Sequence, residues 1–265
     1  VGEPGIGKSR IAAALVERAV ADGAVVLRYQ TSPQQGDSPL WPVRRQLVAE
    51  TGIDRLPDDA ARLHRLGELL GDIEPKPGEA VQLLAELLDI GDAAPPTGMS
   101  AARRRDRLIE VLARRLEHLA RRAPVMMLFE DLHWIDPTSL ELVERILGRI
   151  DELLLMAARP EGQPRLTGHP HLTVMTLNRL TKAAATAIVQ RVAGGDRLPE
   201  DMVATILSRT DGVPLYIEEM TRATLERGGD SASVPATLQD SLMARLERLD
   251  AVKEVAQIAS CIGRE

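Results

Sequence analysis

The chain is 265 residues long and 44% hydrophobic, enough for one large domain or a domain with a smaller neighbour. A net charge of −6, with only Tyr29, Trp41, Phe129, Trp134 and Tyr216 as aromatic residues, argues against a basic, base-stacking nucleic-acid face, and the lone Cys261 excludes internal disulfides and a cysteine zinc site. No apolar stretch approaches the roughly 20 residues that span a bilayer, and the N-terminus carries no basic region followed by an apolar segment, so a soluble, cytoplasmic chain is expected.

The first element is a loop. Gly2-Glu3-Pro4-Gly5-Ile6-Gly7-Lys8-Ser9 spells GxxxxGKS. Its glycines let the backbone take positive φ and turn N–H groups inward toward phosphate oxygens. The loop runs into a helix at Ser9 or Arg10, whose free N-terminal amides and dipole add to the same anion site. Lys8 would reach the β and γ phosphates of a nucleotide, and the Ser9 hydroxyl would ligand Mg²⁺. The expected cofactor-binding stretch is therefore Gly2, Glu3, Pro4, Gly5, Ile6, Gly7, Lys8, Ser9 and Arg10. Such a loop normally follows a buried strand, yet only Val1 precedes Gly2, so the chain reads as a fragment that begins inside a longer protein and lacks the strand before the loop.

Residues 10–22 carry an apolar stripe that ends at Gly23, and residues 24–27 read as a short buried strand. Helical patterns near 43–50, 58–70 and 79–88 form an insertion, followed by a Pro- and Gly-containing linker over 90–100. Ser100 is the expected cap of a long basic helix through Arg122, on which Arg103-Arg104-Arg105 read as a solvated face.

Val125-Met126-Met127-Leu128-Phe129 is a continuous apolar run, the signature of a strand buried on both faces of a parallel sheet. Glu130-Asp131 close it. One carboxylate would support the metal's water shell and the other would polarise an attacking water, making both candidate catalytic and metal-associated residues; which does which is open. His133 and Trp134 follow, the histidine reading as structural. Asp136-Pro137 starts a helix with Asp as N-cap, running through Ile150. Residues 153–158 and 172–177 read as two further strands, with Arg159 placed at the end of the first to sense a γ-phosphate. Strands alternating with helices predict an open, mostly parallel α/β sheet. Beyond it, residues 181–193, 199–210 and 214–228 read as helices of a lid, and a linker over 228–233 leads to more helix at 235–249 and 251–262.

Residues 2–9, the block from Phe129 to Pro137, Ala158-Arg159-Pro160 and Thr210-Asp211-Gly212-Val213-Pro214-Leu215 together resemble the ATPase module of signal-transduction ATPases with numerous domains. The resemblance is strongest to bacterial forms joined to class III cyclase or LuxR-type DNA-binding domains. It implies a P-loop NTPase sheet of strand order 5-1-4-3-2, a sensor role for Arg159, and a GxP motif whose Pro214 packs on adenine. It also implies a winged-helix domain, of which residues 234–265 would be the start. The expected domains are an ATPase α/β domain over 1–177 with its helical insertion about 41–122, a lid over 178–230, and a truncated winged-helix or helical unit over 231–265.

The function expected is an ATP- and Mg²⁺-binding, slowly hydrolysing switch of a multidomain bacterial regulator, with catalytic residues Lys8, Glu130, Asp131 and Arg159. Its partners would be effector domains in the same polypeptide, with a possible homo-oligomer and no membrane. Two alternatives remain: a nucleotide-dependent scaffold without efficient hydrolysis, and a DNA-associated AAA-type ATPase, against which the acidic composition counts.

Overall fold

The computed structural model describes residues 1–36, 38–91, 98–149, 153–161, 166, 172–194, 198–226, 237 and 255. The chain divides into two compact units, Ser9–Val174 and Val1–Lys8 together with Met175–Glu265. Each is described in turn.

The first unit is built on a parallel sheet of β1 (Val25–Gln30), β2 (Val125–Glu130) and β3 (Leu153–Met156), in that order. Residues 125–129 of β2 are all buried, as the central strand of a covered sheet must be. One face receives helix α1 (Lys8–Ala21), whose Ala12 and Val16 pack on Met126 and Leu128. Leu27, Tyr29, Met127 and Phe129 point to the other face and join the main core with α2 (Trp41–Thr51), α3 (Asp59–Leu70), α4 (Pro77–Leu87), α5 (Ala101–Arg122) and α6 (Pro137–Leu147). Tyr29 and Phe129 stack with centroids 4.4 Å apart, and burial pushes the Tyr29 phenol well above its ordinary pKa. Leu66, Leu70 and Leu84 are wholly enclosed, each contributing about 1.5–3 kcal/mol.

β1 runs three residues beyond the apolar stretch that marked it, because it is an edge strand: Arg28 and Gln30 face solvent while Leu27 and Tyr29 face the core. Its outward Arg28 amide is satisfied by the Gln46 side chain of α2 at 3.0 Å. Ser100 and Asp136 cap α5 and α6 as expected, but α6 ends at Leu147, where Gly148 follows. Ion pairs tie α5 to its neighbours: its Arg107 bridges Glu74 and Glu79 at 2.6 and 2.9 Å, and its Glu110 takes Arg149, just past α6, at 2.9 Å, besides Arg114 of its own helix at 3.1 Å.

The second unit packs α7 (Lys182–Val192), α8 (Glu200–Thr210) and α9 (Pro214–Glu226) around Ala185, Val189, Met202, Ile206, Ile217 and Met220. The buried hydroxyls of Thr210, Thr221 and Thr224 each donate to the carbonyl four residues back. The strand expected over 172–177 does not form. Its ladder is two bonds to one residue, Val1 N–H to the Met175 carbonyl at 2.7 Å and Leu177 N–H to the Val1 carbonyl at 2.8 Å. Val174 and Met175 are exposed. The sheet thus has three strands among the described residues rather than four. The linker and helices expected over 228–262 lie outside those residues, apart from Thr237 and Val255. No helix among the described residues is long and apolar enough to cross a membrane.

Candidate functional site

The phosphate-type loop belongs to the second unit. Gly5 and Gly7 have φ of 76° and 100°, values that glycine adopts without strain. Ile6 anchors the turn by burying its side chain, and its amide closes a weak 3.4 Å bond to the Glu3 carbonyl. The Lys8 ammonium folds back onto the carbonyls of Gly2 at 2.7 Å and Glu3 at 2.9 Å. At Gly7 a Cβ would meet nothing within 4 Å, so this side of the loop is open. An open glycine turn with a lysine stationed at its rim fits the charge and shape of a phosphate group.

The same unit brings Val213 and Leu215, the neighbours of Pro214, against this loop. The Leu215 amide donates to the Gly5 carbonyl at 3.2 Å, and a Cβ on Gly5 would lie 3.2 Å from both Val213 and Leu215. Gly212, at φ 73°, lets the Leu180 amide reach its carbonyl at 2.8 Å; a Cβ there would stand 2.7 Å from the Leu180 oxygen. Asp211, left-handed at the end of α8, pairs with Arg179, and Arg179 also reaches Glu3 at 3.1 Å. A cavity of about 450 Å³ lies by Arg179, Lys182, Leu207 and Asp211, but no residue of the loop lines it.

Ser9, Arg10, Glu130, Asp131 and Arg159 belong to the first unit. Glu130 ends β2, and Asp131 turns away in the left-handed region at φ 55°. Their backbone is held from both neighbours. Thr31, just past β1, donates its amide to the Glu130 carbonyl at 3.2 Å and its hydroxyl to the carbonyls of Glu130 and Asp131. On the β3 side, Ala157 N–H donates to Phe129 at 2.8 Å and Leu132 N–H to Ala157 at 2.9 Å. Among the described residues no hydrogen bond or ion pair engages either carboxylate or Arg159.

His133 stacks at a tilt on Trp134, centroids 5.0 Å apart, and its ring nitrogens are shielded from solvent, in line with a structural role. Asp136 is buried, and its Oδ1 accepts from Leu40, Thr138 and Ser139 amides at 3.2, 3.0 and 2.9 Å, fixing α6 and the turn before α2. No group of three or more His, Cys, Asp or Glu among the described residues could hold a metal by itself. Mg²⁺ is ordinarily held by one or two protein oxygens together with substrate phosphates and water, so its candidate donors here are the Ser9 hydroxyl and the carboxylates of Glu130 and Asp131.

Sequence reasoning missed Thr31 and Arg179. Thr31 lies just past an edge strand and bonds Glu130 and Asp131 about a hundred positions away, while Arg179 sits in a connector and reaches Glu3 across most of the chain.

A sequence model of the AAA ATPase domain matches residues 1–157. The chain is also 27% identical over 285 aligned positions to a Rhizobium meliloti (strain 1021) protein named "Uncharacterized protein R02095", across all of this chain and 27% of that protein. It spans, then, little more than a quarter of that relative's length.

Proposed function

The chain belongs to the AAA ATPase domain family, a nucleotide-binding ATPase module, and on that premise we propose that it binds Mg-ATP and hydrolyses it slowly as a regulatory switch within a larger bacterial signalling protein. The observation that carries this reading is the open glycine turn with Lys8 at its rim. Lys8 exchanges its two backbone carbonyls for β and γ phosphate oxygens, a stronger pairing of opposite charges. The Ser9 hydroxyl would hold Mg²⁺, which when bound would neutralise developing phosphate charge. Glu130 and Asp131 support the metal's water shell and orient the attacking water, their carboxylates held ready by a pinned backbone. Arg159 reads the γ-phosphate, and Pro214 packs on adenine.

The length of the relative supports attached domains, which would receive the switch's output; their identity as cyclase or DNA-binding domains rests on motif resemblance. The reading is tested by phosphate release from Mg-ATP, with Lys8→Ala and Asp131→Asn as controls. Slow turnover lost in both variants is expected. Turnover unchanged in both would overturn the assignment, and tight binding without turnover would leave a nucleotide-dependent scaffold.

A further inference from the structure

Glu3 is an anionic residue inside a loop shaped for anions, and its charge needs an answer. The answer lies in Arg179, whose Nε and Nη2 reach the Glu3 carboxylate at 3.2 and 3.1 Å while Nη1 holds Asp211. Glu3 is also one of the two residues whose carbonyls station the Lys8 ammonium. Asp211, at the other end, stands one residue before Gly212 and three before Pro214. Main-chain bonds follow the same path, Leu180 to Gly212 and Leu215 to Gly5.

The geometry points to Arg179 as a positioning residue for nucleotide binding: it neutralises Glu3 and ties the phosphate loop to the Asp211–Pro214 turn, so that loop and turn hold one arrangement. This rests on the ATP-binding reading above. Without Arg179 the Glu3 carboxylate is released beside the phosphate-seeking loop, where it repels a triphosphate. The three side chains are partly or largely exposed, 46% for Arg179, 49% for Glu3 and 76% for Asp211, so the effect is that of solvent-screened pairs.

The test uses the whole chain and Mg-ATP as probe. Arg179→Met weakens Mg-ATP binding about two- to fivefold, while Arg179→Lys keeps most of the affinity. In a Glu3→Gln background, where no carboxylate needs neutralising, Arg179→Met costs less than about twofold. A merely structural arginine would show no such rescue. Hydrogen exchange in the nucleotide-free chain supplies an independent arm: the Leu180 and Leu215 amides exchange faster in Arg179→Met. Equal losses in both Glu3 backgrounds, or unchanged exchange at both amides, overturn the proposal. If the wild-type chain binds no Mg-ATP, the functional reading fails, and the positioning role of Arg179 fails with it, while exchange still decides whether the tie between loop and turn exists.

Discussion

The Thr31 hydroxyl lies 3.1 Å from the Glu130 carbonyl and 2.5 Å from that of Asp131, so the end of one strand fixes the backbone that presents two carboxylates on the next. Thr31 is 4% exposed, and nothing else among the described residues hydrogen-bonds the Asp131 carbonyl apart from the turn amide of Trp134. Thr31→Val keeps the shape and removes the donor. It should cost about 1–2 kcal/mol of stability in urea titration and lower turnover more than Mg-ATP affinity, whereas Thr31→Ser retains both.

Two glycines separate binding from folding. Gly7→Ala places a methyl in open space at φ 100°, so the strain is about 1–2 kcal/mol and the new methyl stands at the open side of the loop. Its expected effect falls mainly on Mg-ATP affinity. Gly212→Ala drives a Cβ to 2.7 Å from the Leu180 carbonyl, a backbone atom with little room to yield, and should lower the melting temperature more than Gly7→Ala does. Paired melting and binding measurements on the two variants check the contrast.

Acid sensitivity follows from Glu110. Its hydrogen bond from Arg149, together with that from Arg114, holds its carboxyl below the ordinary value of 4.5 against the opposing effect of burial. Because the folded pKa is lowered, this contribution is complete above about pH 4.5 and is lost as pH falls through the folded value. Arg149→Met should therefore lower stability at pH 7 and flatten the decline measured below pH 4.5. An unchanged acid limb would show that the pair contributes nothing.

Much of this was legible locally. Ser100 and Asp136 announced their helices because a cap acts within three residues, and the glycines and Lys8 announced their loop because its chemistry is contiguous. The polar half of β1 escaped notice because Arg28 and Gln30 face solvent at a sheet edge, where composition says nothing about pairing. Residues 172–177 misled in the opposite direction: Val174, Met175 and Leu177 have the composition of a buried strand, but Val174 and Met175 are exposed. Thr31 and Arg179 were invisible for a further reason. Their importance lies in what the fold brings to them, Glu130 across a strand pair and Glu3 across most of the chain.

Lys8 carries the central claim, since it is the one side chain in the loop able to exchange its present carbonyl partners for phosphate oxygens. Calorimetric titration of Mg-ATP into the wild-type chain and Lys8→Ala, with GTP as competitor, tests it most directly. The account predicts saturable binding that weakens about ten- to hundredfold without the ammonium. Binding that is absent from the wild-type chain, or equally tight in Lys8→Ala, would contradict it.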